Sequence, residues 1–138
     1  MTTDNAIHYA LEPELSAEQF RAVLLASTLA ARRPADDLER LERMLRAADI
    51  IVTARAGGRL VGVSRAITDF SYCCYLSDLA VDSAWQRRGI GRRLIEQTHR
   101  AAGEGATLIL LAAPAAESYY PHIGMKHMAS CWAIARSR

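Results

Sequence analysis

The chain has 138 residues, 51% of them hydrophobic and 23% charged, and a formal net charge of +2. That length fits a single domain with a real core, and that balance excludes a disordered, fibrous or strongly polyanion-seeking chain. The longest apolar run, residues 108–116, is broken by Pro114 and falls far short of the roughly 20 residues that cross a bilayer.

The first residues, MTTDNAIHYALEPEL, carry acids and no apolar h-region, so no secretory leader is predicted and the cytoplasm is the expected compartment. Three cysteines, two of them adjacent at Cys73 and Cys74, form neither a disulfide framework nor a metal-ligand spacing. They read as small buried apolar residues, and no metal is expected. Lys126 is the only lysine among seventeen basic residues, so arginine supplies nearly all of the positive charge.

IHYAL is a short strand with Ile7 and Tyr9 on one face. A helix follows, marked by a stripe of Leu15, Phe20, Val23, Leu24, Ser27 and Leu29, with Pro34 as its end. ADDLERLERMLRAAD is a second helix, its inner face Leu38, Leu41, Met44 and Leu45. The period then changes from 3.6 to 2: residues 50–55 and 60–68 predict a hairpin, with Gly57 and Gly58 supplying the positive φ of a tight turn. CCYLSDLAV is a long strand, and residues 89–103 form a helix that turns Ile90, Leu94, Ile95 and Thr98 inward. TLILLAA predicts a buried strand, AESYY a short helix, and KHMASCWAIA a final strand. The order β-α-α-β-β-β-α-β-α-β, without repeats or linkers, makes residues 1–138 one α/β (α+β) domain: a mixed central sheet flanked by helices.

Within it, QRRGIGRRL at 86–94 sets Gly89 and Gly91 among four arginines at a helix start. Helix N-termini offer unpaired N–H groups and a positive dipole end to anions. Glycines bare that backbone, and Arg87, Arg88, Arg92 and Arg93 bring planar forks suited to phosphate. The same residues also fit a plain turn before a solvated helix face, and spacing alone does not choose. A GxxxxGK[ST] loop is excluded because no lysine follows Gly91, and a dinucleotide GxGxxG because Leu94 stands where its third glycine belongs.

LAVDSAWQRRGIGRRLI resembles motif A of the GNAT superfamily of acyl-CoA N-acyltransferases, whose signature is [QR]-x-x-G-x-[GA]; Gln86, Gly89 and Gly91 match it in register, downstream of the strand YLSDLAVD. AESYYPHIGMKHM resembles motif B of that family through Tyr119, Tyr120, Gly124 and Met125, so the resemblance extends over nearly the whole chain. It implies a GNAT-like sheet and acetyl-CoA as co-substrate, with direct attack of a neutral amine on the thioester in a ternary complex. The backbone of Arg88, Gly89, Ile90, Gly91 and Arg92 would hold the pyrophosphate, with a side-chain contact from Arg87 or Arg88. Leu79, Ala80 and Val81 would pair with the pantetheine arm where the strand splays from TLILLAA after a bulge. Val81 N–H is the expected oxyanion donor, Tyr120 the acid for the departing thiolate, and Ser118 a further cofactor contact.

This chain departs from the family in two places. TLILLAA lacks the glutamate that many relatives carry, which leaves Asp78 as the nearest carboxylate, acting through water or binding a cationic amine, with His122 and His127 as further candidates. Pro121 follows Tyr120 and should push it out of helical geometry. Cys73, Cys74 and Tyr75 lie where substrate would approach but read as strand packing, as do Trp85 and Trp132. The first two helices and the hairpin would form the acceptor side, where Arg32, Arg33, Asp36 and Asp37 spell no readable code. The acceptor is therefore expected to be an amine of a small molecule or peptide, with neither nucleic acid nor membrane as partner and a homodimer as an option. A non-catalytic acyl-CoA sensor on the same fold is the alternative.

Overall fold

The computed structural model describes residues 6–137. Strand β1 (Ile7–Leu11) is followed by helices α1 (Ala17–Ser27) and α2 (Leu38–Ala47), strands β2 (Ile50–Ala56), β3 (Arg59–Thr68) and β4 (Cys73–Val81), helix α3 (Ile90–Ala102), strand β5 (Thr107–Ile109) and the short helix α4 (Tyr119–His122). The five strands form one mixed sheet in the order β1-β2-β3-β4-β5, antiparallel except for the parallel pair β4–β5.

Strand alternation divides the core between the two faces of this sheet. Ile50, Val52, Ala54 and Ala56 of β2 pack with Ile90 and Leu94 of α3, while Ile51 and Val63 turn the other way against Phe20, Leu24, Leu41 and Leu45 of α1 and α2. Gly57 and Gly58, at φ 56° and 87°, make the hairpin turn that the pattern requires. Gly62 has a packing role. A Cβ there would lie 3.1 Å from Leu94 Cδ1 and 3.2 Å from Ile90 Cγ2, so glycine lets the start of α3 sit close on the sheet. Gly62→Val should therefore lift that helix end and cost about 1–3 kcal/mol, read as a lowered thermal midpoint by circular dichroism.

Three predicted boundaries are corrected. Helix α1 ends at Ser27, well before Pro34, because the Ser27 hydroxyl bonds Leu24 O at 3.0 Å and accepts from Leu29 N–H at 3.2 Å, and Thr28 takes φ 72°. A 3₁₀ turn, Leu29–Arg32, carries the chain on. The strand in TLILLAA is neither long nor buried: β5 has three residues, and Ile109 and Leu111 are exposed. No strand forms in residues 126–137, since the edge it would join is only those three residues long. Met128, Trp132 and Ile134 consequently stand in solvent, which overturns the packing role of Trp132; Trp85 is partly buried on the core. Cys74 is buried as expected, but Cys73 and Cys131 are exposed.

Candidate active site

The site is organised by strand β4. Arg65 of β3 pairs with Asp78 and Ala66 with Leu76, so Ser77 is an extra residue, a bulge in mid-strand. On the other edge, pairing with β5 runs only from Cys73 to Tyr75 and stops there. Beyond Tyr75 the two parallel strands part, and residues 110–113 leave the sheet. The Asp82 N–H donates across to Val61 C=O at 2.8 Å. By strand alternation the backbone groups of Val81, and of Leu79 before it, face the parted side, while those of Ala80 face β3. That is a strand edge with no partner strand beside a cleft, its Val81 C=O taken by the Gln86 side chain.

The loop after β4 is tied down from within. Asp82 Oδ1 accepts from Ala84 N–H at 2.9 Å, and the Gln86 side chain donates to Val81 O at 3.2 Å, so Gln86 closes the turn. Arg88 stacks over the Trp85 ring at 4.7 Å. Arg87 holds φ 66°, a left-handed conformation costing a non-glycine residue about 1–2 kcal/mol. Gly89 caps α3 at φ 80° with open space above its α-carbon. Gly91 is different: a Cβ there would lie 3.3 Å from the Tyr119 hydroxyl and 3.9 Å from Val81 Cγ2. Ile90, Leu94, Thr98 and Ala102 anchor the helix on the sheet, and Arg92 pairs outward with Glu96 at 3.4 Å.

The expectation that Pro121 pulls Tyr120 from helical geometry does not hold, because Tyr120 lies within α4 and Pro121 falls in the first turn, where its missing N–H is not required. Tyr119 and Tyr120 meet edge to face, centroids 5.3 Å apart, and point to different places. Tyr119 reaches Gly91, whereas Tyr120 lines the cleft. Burial raises the Tyr120 pKa above its ordinary 10, and the neighbouring Tyr119 adds to the shift. Ser118 precedes α4 and is exposed, as is His122; His127 lies further along the exposed terminal segment.

The cleft has a volume of about 640 Å³ and is lined by the α1–α2 connection, β4 from Tyr75 to Leu79, residues 110–113, and Tyr120. Asp78 lies beneath the cleft lining, between Ser77 and Leu79 in β4, fully buried, and each of its oxygens is held by a guanidinium, Oδ1 by Arg33 and Oδ2 by Arg65. The bulge residue completes this cluster: Ser77 O accepts from Arg33 at 2.7 Å and Ser77 Oγ from Arg65 at 3.1 Å. Arg65, and the separate aims of the two tyrosines, were missed by sequence reasoning. The available signal was a lone arginine inside the apolar alternation of β3. Of the acceptor-side residues, Asp37 caps α2 through Arg40 N–H at 3.0 Å, and Arg32 and Asp36 are exposed. Among the described residues no group of His, Cys, Asp or Glu is placed to hold a metal ion, and no helix is long and apolar enough to cross a membrane.

A bulged strand thus parts from its parallel neighbour in the same domain as a glycine-bared helix start. The family model described as "Acetyltransferase (GNAT) domain" matches residues 13–130, and the chain belongs to that family. Among solved structures it is similar to a GNAT-family acetyltransferase from Streptococcus pneumoniae TIGR4, with 20% identity, a TM-score of 0.76, and coverage of 96% of this chain and 98% of that one. It is also similar to the aminoglycoside N-acetyltransferase AAC(6')-Iy solved with CoA, with 17% identity, a TM-score of 0.74 and 96% of each chain covered. A third is an aminoglycoside acetyltransferase from an uncultured soil metagenomic sample, in complex with sisomicin, with 20% identity, a TM-score of 0.70, and 98% and 100% covered. Among curated proteins none matches this sequence.

Proposed function

We propose that the protein is an acetyl-CoA-dependent N-acetyltransferase acting on the primary amine of a small molecule or peptide by direct attack in a ternary complex. The observation that carries this reading is the open edge of β4 beyond Tyr75, running from the Tyr120 cleft toward the start of α3. The residues present suit acetyl-CoA. The N–H groups from Arg88 to Arg92 would hold the pyrophosphate beside the Arg87 and Arg88 side chains, and the edge groups of Leu79 would pair with the amide-rich arm, the Val81 C=O already accepting from Gln86. Ser118 would meet the coenzyme from the foot of α4.

In the reaction the acceptor nitrogen bonds the thioester carbonyl carbon and the C–S bond breaks. Val81 N–H donates to the carbonyl oxygen as charge develops on it. Tyr120 gives its proton to the leaving sulfur and regains one from solvent, to which the acceptor nitrogen also loses its surplus proton. Two of the similar structures are named aminoglycoside acetyltransferases, which supports an amine acceptor.

Calorimetric titration with acetyl-CoA tests the coenzyme site. Gly89→Ala forces φ 80° on a residue that resists it, at about 1–2 kcal/mol, and Gly91→Val crowds the Tyr119 hydroxyl and Val81. Each should weaken binding about tenfold or more. Absence of any binding by the unaltered protein would sink the reading, and binding without thiol release on any amine would favour the sensor.

A further inference from the structure

The cleft is lined by five arginines, Arg32, Arg33, Arg40, Arg65 and Arg136, and by no carboxylate among the described residues. The one acid beneath it, Asp78, is shared between Arg33 and Arg65, so that cluster keeps a surplus positive charge. Its geometry is set in advance. Arg65 is almost wholly buried, and both guanidiniums are braced by the bulge at Ser77. Of the five N–H groups on a guanidinium, Arg33 spends three, on Asp78, Ser77 O and Arg32 O, and Arg65 spends three, on Asp78, Ser77 Oγ and Met44 O. Each keeps two donors. Arg32 and Arg40 have no carboxylate partner among the described residues and stand on the same wall.

Resting on the acetyl-transfer reading, we propose that the acceptor is an anionic amine, one bearing a carboxylate or phosphate, and that Arg32, Arg33, Arg40 and Arg65 cradle that anion while the amine reaches toward Tyr120. Guanidiniums with spare N–H donors suit both groups. The coenzyme's own phosphates do not account for the cluster, because none of residues 86–92 lines the cleft. From Ser77 to Val81 alone an extended strand runs about 13 Å. A polycation such as an aminoglycoside or polyamine would meet guanidiniums with no acid to receive it.

Thiol release from acetyl-CoA is measured with matched amines: β-alanine against its amide, phosphoethanolamine against ethanolamine, and kanamycin and spermidine as polycations. At least one anionic amine should exceed its neutral partner in kcat/KM by about 10- to 100-fold, with the advantage shrinking as salt rises. The β-alanine and phosphoethanolamine arms separate carboxylate from phosphate as the anion. Arg32→Gln and Arg40→Gln should each erode that ratio, chiefly through KM. Better turnover of kanamycin or spermidine, or ratios unmoved by both variants, would overturn the proposal. A second arm titrates β-alanine and phosphoethanolamine into the CoA-saturated protein. Binding that Arg40→Gln abolishes supports the cradle even where no amine is acetylated, an outcome that defeats only the transfer reading, and absence of binding by both anions refutes the cradle.

Discussion

Tyr120→Phe should lower kcat about 10²-fold with little change in the KM for acetyl-CoA, while Tyr119→Phe should do the reverse. A general acid is typically worth 10²- to 10⁴-fold, and the low end is expected here because a thiolate leaves readily. The two rings touch edge to face, so either substitution preserves the packing and removes only a hydroxyl. The hydroxyls have different surroundings, one at the cleft and the other against Gly91 at the start of α3. Burial raises the Tyr120 pKa, so the phenol stays protonated, and able to donate, through the whole range below about pH 10. The unaltered enzyme should accordingly show no loss of kcat from Tyr120 on the alkaline side of neutrality. Steady-state kinetics from pH 6 to about 10 checks both points. Full kcat in Tyr120→Phe with loss in Tyr119→Phe would exchange the two roles.

What could be read in the sequence was local. The switch of apolar period at Ile50, the glycine pair of the hairpin and the apolar stripes of α2 and α3 each act over a few neighbours, and those elements form as the pattern requires. The glycine-bared helix start was legible as a local feature, but its glycines and arginines fitted a plain turn equally well, and only the match of Gln86, Gly89 and Gly91 to the family motif favoured a phosphate site. Where long-range pairing decides, periodicity carried less. The alternation of Trp132 and Ile134 reads as a strand, but a strand needs an edge, and β5 offers three residues. Asp78 was legible as the nearest carboxylate, but its partners lie 13 and 45 positions away, and nothing in its own strand reveals them. The cationic cleft follows from that blind spot, because it is built from the α1–α2 connection, α2 and β3 together.

Asp78→Asn should unfold the site before it reveals any base. The carboxylate is fully buried, the Arg65 side chain is 8% exposed, and the Arg33 side chain 22%. Removing one partner of such a buried ionic cluster costs about 3–5 kcal/mol, because the guanidiniums remain without their counter-charge. An asparagine keeps the shape but turns an N–H₂ toward one of them, donor against donor. A drop in thermal midpoint of about 10 °C or more is expected for a domain of this size. Arg33→Met and Arg65→Met combined with Asp78→Leu should recover much of it by replacing all three ions with packed carbon. A proton-accepting role predicts something else: Asp78→Asn stays folded, loses kcat, and loses the acidic limb of its pH–rate profile. With each oxygen already bound to a guanidinium, Asp78 is better suited to fix Arg33 and the bulge than to take a proton from the acceptor. The acidic limb should then survive in any folded Asp78 variant and move with the acceptor's own amine pKa, since the proton lost before attack is the acceptor's. A limb that stays fixed across amines of different basicity, and vanishes with Asp78, would restore the carboxylate as the base.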